Sequence, residues 1–406
     1  MLKLIFKTSV YITIFLLGGF VVFLSTDIFV SLKQADLKPW HTIELSRDFN
    51  AAMEDSFDWK RYLEQEQRLF DELHAYRRNI NAAIQLESSR YVEGGNRFER
   101  RLASDWNRSY KLDADKPRGV ALVVHGLTDS PYSLRSIAQA LNQNGIIVYG
   151  LRLPGHGTLP SSLDSVVWQD WLAAIRVADR HIREQHPDLP YYYAGYSAGA
   201  ALGLKMTLDA IASDEPYPEQ LFLLSPALGV SALARFANLH RIVSDLDAFR
   251  KARWVSVLPE YDPYKYNSFT KNAGKQTSLL IGQIYKDIDR LKQAGDSGRL
   301  PRIISFQSLV DATVSATDLV DKLYAVIKNK ESELVLIDVN QMSYSKALIS
   351  HNPEVLVVAL DTLPDAEFRL TLITNQDDST HTDNETSWLV SEIKVVERPL
   401  ELAWPE

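Results

Sequence analysis

The clearest chemical signal in the chain is a serine that has a glycine two residues before it and another two residues after it. Residues 191–203 read YYYAGYSAGAALG, an apolar and aromatic run that passes through Gly195, Ser197 and Gly199 into a helical pattern. A serine on such a tight strand-to-helix turn takes a strained backbone conformation, and the glycines relieve the crowding around it. The first amides of the following helix point toward its hydroxyl. We therefore predict that Ser197 is a nucleophile, against the alternative that the pattern arose by chance.

The elements that must position this serine alternate between strands and helices. Residues 119–126, GVALVVHG, form a continuous apolar run, which is typical of a strand buried on both faces. Alternating strands and helices predict a mostly parallel sheet covered by helices on both faces, an α/β architecture. The other strands are predicted before Ser197 and at residues 146–151, 220–224, 302–307 and 333–339, and the helices after Ser197 and at residues 133–144, 166–186 and 316–327.

Less regular segments flank this core. The strand and helix periodicity is lost over about residues 226–300, which predicts a cap insertion over the carboxyl edge of the sheet, where such folds bind ligands. Within it lies a loop at residues 259–269, PEYDPYKYNSF. Near the C-terminus we expect strands at residues 368–374 and 392–397, separated by a polar loop at 375–387.

The N-terminus carries a long apolar segment at residues 4–24, in which Lys7 is the one charged residue. A helix of about 20 such residues spans the hydrocarbon core of a bilayer. Lys3 and Lys7 precede the main apolar run and Asp27 follows it, so we expect a cytoplasmic N-terminus and a periplasmic or extracellular body. A cleaved signal peptide is the alternative, but no small-residue cleavage site follows Leu24, which favours an uncleaved anchor.

These patterns divide the chain into four parts. Residues 31–95 are polar with helical spacing, which predicts a helix that either packs on the main domain or serves as a spacer from the membrane. The parts are a transmembrane anchor at 1–30, a helical N-terminal segment at 31–95, a main domain at 96–340 that contains the cap insertion, and a C-terminal extension at 341–406 whose last residues, LELAWPE, look cut off inside a strand–loop unit.

Composition excludes several classes of function. The net charge of −8 and the absence of a basic tract argue against a nucleic-acid partner. Since there is no cysteine, disulfides, thiolate catalysis and cysteine metal sites are excluded. The sequence contains no HExxH motif, phosphate-cradling loop or dinucleotide fingerprint, so we expect neither a metal nor a cofactor.

Five motifs taken together resemble the α/β-hydrolase superfamily, in particular bacterial monoacylglycerol lipases, carboxylesterases and the serine aminopeptidase S33, lysophospholipase-like family. In chain order they read VVHGLTDSPYSLRSIAQALNQNG, LRLPGHGT, WQDWLAAI, AGYSAGAALG and FQSLVDATV, and the resemblance covers about residues 119–339. It implies an α/β-hydrolase fold and a serine nucleophile, a carboxylate and a histidine in that chain order.

The resemblance assigns most of a catalytic site. Ser197 matches the nucleophile, and the backbone amides of Leu127 and Ala198 match the two oxyanion donors. Asp311, shortly after the predicted strand at residues 302–307, matches the carboxylate that orients the histidine. His125 and His156 precede the nucleophile, and in the family such histidines shape loops.

The position of the catalytic histidine departs from the family pattern. The strand at 333–339 is followed by NQMSYSKALIS, which contains no histidine. His351 comes late, and His381 lies in a polar loop after an extra strand. We predict His381 as the base, with two alternatives: that both are exposed loop histidines, or that the base lies beyond residue 406.

The predicted function is a serine hydrolase that cleaves carboxylic esters, lipid-derived or with a short acyl chain, through an acyl-enzyme. One alternative is an S33-type aminopeptidase, in which Glu260 and Asp262 of the cap would bind the substrate's amine. The other is a catalytically dead, membrane-tethered binding module with a hydrolase fold, which the missing histidine favours.

Overall fold

The computed structural model describes most of the chain between residues 33 and 403. The described residues are 11, 18, 29, 33–46, 48–79, 89–91, 105–229, 247–309, 316–338 and 367–375, together with the strands at 382–389 and 392–403. None of the helices among them is both long and apolar enough to cross a membrane. The predicted anchor at residues 4–24 lies outside the described residues, apart from Tyr11 and Gly18.

A ten-stranded sheet forms the centre of the fold, in the order β1-β3-β2-β4-β5-β8-β9-β10-β11-β12. The seven strands from β3 to β10 in this order are parallel, while β1 pairs antiparallel with β3, and β11 and β12 extend the other edge antiparallel. The strands are β1 Tyr110–Leu112, β2 Gly119–Val124, β3 Ile146–Leu151, β4 Tyr191–Tyr196, β5 Gln220–Leu224, β8 Arg302–Ser308, β9 Glu333–Asp338, β10 Arg369–Asn375, β11 Thr382–Leu389 and β12 Glu392–Ala403, while β6 Trp254–Ser256 and β7 Phe269–Thr270 form a separate antiparallel pair.

Helices cover both faces of this sheet, as the sequence predicts. Alternate strand residues divide between two apolar clusters: Val123 and Val148 contact α2 on one face, whereas Leu122 and Tyr149 share the larger cluster on the other. The main helices are α1 Trp59–Asn79, α2 Arg135–Gln143, α3 Trp168–Gln185, α4 Ala198–Ser213 and α5 Lys271–Ala294, and the predicted helix at 316–327 is a series of short irregular helical turns, Ala316–Asp318, Leu319–Leu323 and Tyr324–Val326.

The N-terminal helix α1 packs on the main domain. Trp59 stacks on Tyr62 and meets the ring of Tyr149 edge-on, with ring centroids 5.9 Å apart in both pairs. All three side chains belong to the largest apolar cluster of the described residues. Of the two roles that the sequence leaves open for this helix, the structure therefore shows packing on the sheet domain.

Two segments differ from the sequence prediction. Residues 382–387, predicted as part of a polar loop, lie in strand β11 because that strand pairs with β10 on one side and β12 on the other. Helix α5, placed by the sequence in the cap insertion, packs along α4, and its Leu280 and Ile284 join the apolar cluster of the sheet face. This part of the predicted insertion therefore flanks the sheet.

The packing of α1 can be tested with Trp59→Ala. Because Trp59 is 7% exposed, we expect its truncation to lower the free energy of unfolding by about 3 kcal/mol, as for other buried tryptophans. The control is Lys60→Ala on the same helix, where the side chain is 84% exposed and a change within about 0.5 kcal/mol is expected. Urea unfolding measures both, and equal effects would show that α1 does not share the core.

Candidate active site

Ser197 lies on a strained turn between β4 and α4. Its φ of 52° and ψ of −114° place a residue with a side chain in a region that favours glycine. Hydrogen bonds hold this conformation: the Ser197 N–H donates to Leu224 O at 2.9 Å, and Ser197 O accepts from the amides of Ala201 and Ala227, both at 3.1 Å. Ser197 is half-buried, whereas the helix residues that follow it are fully buried. The turn therefore presents the serine at the end of the sheet.

The two flanking glycines permit this turn because backbone approaches backbone at both. A Cβ atom on Gly199 would lie 2.3 Å from Val124 O in the neighbouring strand β2. A Cβ atom on Gly195 would lie 2.6 Å from the backbone nitrogen of Ala200. Both distances are far inside van der Waals contact, so no other residue fits either position without moving backbone.

Two backbone amides adjoin the serine. Ala198 is the first residue of α4, and Leu127 follows His125 and Gly126 on the loop after β2. Gly126 is so near that a Cβ atom on it would lie 3.2 Å from the Cβ of Ser197. Within the described residues, neither amide has a hydrogen-bond partner. Strands β2 and β4 are neighbours at the point where the strand order reverses, which is where sheets of this type bind ligands.

The histidines at 125 and 156 are engaged by the backbone. His125 bonds Gly126 O through Nδ1 at 2.8 Å and Leu153 N through Nε2 at 3.0 Å. His156 Nδ1 lies 3.0 Å from Pro154 O, and its Nε2 is buried with no partner in the described part of the chain. Burial lowers the pKa of His156 to about 4, so its ring is neutral near pH 7. Both rings hold loops together, in agreement with the sequence analysis.

The other predicted members of the triad, Asp311 and His381, lie outside the described residues, and their roles stay predictions. Of the histidines that the structure describes, none hydrogen-bonds Ser197; these are His41, His74, His125, His156, His181 and His186.

The two cap carboxylates considered for an aminopeptidase hold their own loop. Glu260 is completely buried and accepts hydrogen bonds from the amides of Asn267 and Ser268, at 3.0 and 2.8 Å. Asp262 accepts from the amides of Tyr264 and Lys265. Since both carboxylates already serve turns, neither is favoured as a site for a substrate amine.

The aromatic residues of the loop at 259–269, here called the cap loop, are mostly structural as well. Tyr264 stacks on Tyr132 with ring centroids 3.7 Å apart, and the Tyr266 hydroxyl donates to Gly155 O and accepts from Thr158 N. The residue Tyr261, by contrast, is 61% exposed. Of these three tyrosines, Tyr261 is therefore the most exposed to solvent.

Sequence reasoning missed a buried guanidinium beside the site. Arg152 directly follows β3, is 1% exposed, and forms ion pairs with Asp48 and Glu66, at 2.9 and 3.1 Å. The one available signal was an arginine at the end of an apolar strand, in LRLPGHG. Its partners lie 104 and 86 residues away in the sequence, so no local pattern could identify them.

A parallel sheet covered by helices on both faces, with a Gly-x-Ser-x-Gly turn at the reversal of strand order, defines an α/β-hydrolase. A family model described as serine aminopeptidase, S33 matches residues 115–337, and the chain belongs to this family of hydrolases.

Individual relatives are lipases and esterases. The thermostable monoacylglycerol lipase of Bacillus sp. (strain H-257) is 29% identical, over 31% of this chain and 66% of its own length, so the chain spans just under two thirds of that relative. A structure of the metagenome-derived lipolytic enzymes LipS and LipT is 22% identical, with 57% of this chain and 87% of that chain covered and a TM-score of 0.46. The monoacylglycerol lipase of Paleococcus ferrophilus is 18% identical, with 56% and 87% covered and a TM-score of 0.42.

The requirement for glycine at the turn can be tested with Gly199→Ala. Because the added methyl group would overlap Val124 O, we expect loss of several kcal/mol of stability, on the scale of about 3 kcal/mol or more for a severe overpacking defect. Gly282→Ala in helix α5 is the matched control: nothing lies within 4 Å of its Cβ position, and alanine should stabilise that helix by about 0.5–1 kcal/mol. Thermal unfolding measures the stability of both variants. Equal changes in stability would contradict this account.

Asp129, two residues after Leu127, should make stability depend on pH. Burial raises its pKa to about 6 from 3.8, while Lys265 opposes the shift and Asp262 adds to it. A raised carboxyl pKa means that the folded state gains protons first, so the ionised side chain destabilises the fold at higher pH and this cost disappears as the pH falls through 6 toward 4. Raising the pKa from 3.8 to about 6 corresponds to about 3 kcal/mol of free energy.

We therefore expect the free energy of unfolding of Asp129→Asn to rise by about 3 kcal/mol relative to that of the wild type as the pH increases from about 4 to about 8. Urea unfolding at each pH measures this difference. The exposed Asp115→Asn serves as the control and should show no such change. A stability difference between Asp129→Asn and wild type that stays constant with pH would contradict the burial effect.

Proposed function

We propose that this protein is a serine hydrolase that cleaves carboxylic esters through an acyl-enzyme, with Ser197 as the nucleophile. The observation that carries the proposal is the position of Ser197 on a strained turn, half-buried, beside two amides without partners in the described residues. Such an arrangement suits attack on a carbonyl whose oxygen becomes negatively charged.

In the proposed mechanism the Ser197 hydroxyl attacks the ester carbonyl and a histidine takes its proton. The resulting oxyanion accepts hydrogen bonds from the amides of Leu127 and Ala198, each worth about 3 kcal/mol in comparable sites. The histidine then protonates the leaving alcohol, and an acyl-enzyme remains. Water, activated by the same histidine, releases the acid.

The acid and the base of this mechanism rest on the sequence. In the sequence Asp311 comes three residues after the end of β8, a strand that runs parallel to the strand before Ser197. We propose it as the carboxylate that orients the histidine, and His381 as that histidine, with His240 and His351 as the other candidates in the chain. Individual replacement by alanine would identify the base, because the true base should be nearly as sensitive as the nucleophile.

For the substrate we propose a lipid-derived or short acyl ester. The support is the similarity to monoacylglycerol lipases and the apolar segment at residues 4–24, which would tether the enzyme to a membrane with its body periplasmic or extracellular. The aminopeptidase alternative is weaker because Glu260 and Asp262 already bond backbone amides. The dead binding module has in its favour that no described histidine bonds Ser197.

The nucleophile is tested with Ser197→Ala. We expect the rate of hydrolysis of a short p-nitrophenyl ester to fall about 10⁴-fold or more, as when other nucleophilic serines are removed. The free energy of unfolding should stay unchanged. Ser213→Ala, at the exposed end of the same helix, is the control and should keep full activity. A fluorophosphonate probe should label the wild type and not Ser197→Ala.

The outcomes separate the alternatives. A wild type that neither hydrolyses esters nor reacts with the probe would support the binding module. Faster turnover of an amino-acid amide than of the ester would support the aminopeptidase. Esterase activity that survives in Ser197→Ala would exclude this mechanism.

A further inference from the structure

A buried ion network joins the N-terminal segment to the loop after β3. The guanidinium of Arg152 contacts both oxygens of Asp48, with Nη2 to Oδ1 at 2.9 Å and Nη1 to Oδ2 at 3.0 Å. Its Nε lies 3.1 Å from Glu66 Oε2. Both carboxylates precede residue 115, where the match to the hydrolase family begins. The chain outside the family domain therefore supplies the counter-charges for a buried cation inside it.

The same groups hold the backbone of that loop. Asp48 Oδ2 accepts a hydrogen bond from Gly155 N at 2.8 Å, and Arg152 Nη1 donates to His156 O at 3.0 Å. On the other side, the Arg152 N–H donates to Ser109 Oγ, whose hydroxyl donates to the carboxylate at position 66. The loop is thus fixed at both ends by contacts that depend on the N-terminal segment.

This loop in turn fixes the ring of His125. The Leu153 N–H donates to His125 Nε2 at 3.0 Å, which requires that the ring proton be on Nδ1. Nδ1 then donates to Gly126 O at 2.8 Å. Burial, the nearby His156 and Arg152 lower the pKa of His125 well below its usual value, so the ring stays neutral and keeps this arrangement.

The carbonyl of Gly126 and the N–H of Leu127 belong to one peptide group. In a trans peptide these two bonds point in opposite directions, and the structure has no cis peptide bond among the residues it describes. A hydrogen bond that holds Gly126 O therefore also sets the direction of the Leu127 N–H. That N–H is one of the two proposed oxyanion donors.

We propose that the N-terminal segment takes part in catalysis by orienting this peptide. Asp48 and Glu66 fix Arg152, the loop after Arg152 fixes His125, and His125 fixes the peptide that donates through Leu127. Arg152 and His125 are then positioning residues. This inference rests on the proposed serine hydrolase function.

The rival explanation is that the network stabilises the fold without affecting the chemistry, and kinetics distinguish the two. An oxyanion exists only in the transition state and the tetrahedral intermediate, so a misdirected donor lowers kcat and leaves KM nearly unchanged. A network that contributes only stability would leave kcat of the folded molecules at the wild-type value.

The experiment uses Asp48→Asn and Glu66→Gln in the full chain, assayed with the short ester at a temperature where near-ultraviolet circular dichroism shows each to be folded. We expect kcat to fall about tenfold or more, since small displacements of catalytic groups have large effects, and KM to stay within about twofold. A trifluoromethyl ketone, which forms an oxyanion with the serine, should lose affinity by the same factor as kcat/KM.

Asp179→Asn is the matched control because it removes a partly buried carboxylate that pairs with Arg183 on helix α3, near the opposite end of the sheet. Its kcat should equal that of the wild type. If neither network variant folds, His125→Asn is measured in the same way and should show the same selective loss of kcat.

Folded variants with wild-type kcat would overturn the inference, and so would a set in which no variant folds, since the network would then serve the fold alone. In both cases a wild type that loses activity on Ser197→Ala would leave the proposed function intact. A wild type that hydrolyses no ester would instead remove the proposed function itself.

Discussion

The close approach of helix α4 to strand β2 is the constraint on which the candidate site depends. Only glycine at position 199 allows the helix to begin with its backbone against Val124 O. After β2 the chain forms β3 on one side of that strand and then β4 on the other side. The ends of the neighbouring strands β2 and β4 therefore lie next to each other. Ser197 and the amide of Leu127 are brought together by this contact. The cost of the strained serine, about 1–3 kcal/mol for such a conformation, is offset by the hydrogen bonds on both sides of it.

The network around Arg152 is governed by the cost of placing a charge out of water. Removing a guanidinium from solvent costs several kcal/mol, and a buried ion pair often adds little net stability. Burial opposes ionisation of Asp48, but the charge of Arg152 and hydrogen bonds from Arg152 and Gly155 outweigh it and lower its pKa. For Glu66 burial dominates and raises the pKa. What such a network provides is a fixed geometry of its groups, because any other arrangement would leave a buried charge without partners.

Sequence reasoning performed well where local chemistry decides the structure. The parallel strands were predicted within one or two residues, since a strand covered on both faces is a continuous apolar run. The strained turn at Ser197 followed from the spacing of its glycines. Strand β11 was missed because its residues, TDNETSWL, are mostly polar and are held by pairing with two neighbours. Arg152 was missed because distant parts of the chain supply its partners, while Asp311 and His381 stay predictions.

The loop that carries Leu127 is held from a second direction as well. The Tyr266 N–H of the cap loop donates to Thr128 O at 2.9 Å, and Tyr264 of the same loop stacks on Tyr132. Thr128 itself has a φ of 65°, a conformation that a residue with a side chain adopts only when its surroundings impose it.

The Gly126–Leu127 peptide is therefore restrained through His125, and the Thr128–Asp129 peptide, whose N–H donates to Gly126 O at 3.3 Å, is restrained through the cap loop. Donors that stabilise a developing charge are effective to the extent that they need no reorganisation when the charge appears. These restraints are present in the chain without any ligand, so the direction of the Leu127 amide is set before a substrate arrives. Regions before and after the serine in sequence thus hold the same short loop, and the proposed link from the N-terminal segment to the Leu127 amide runs through the Gly126–Leu127 peptide of that loop.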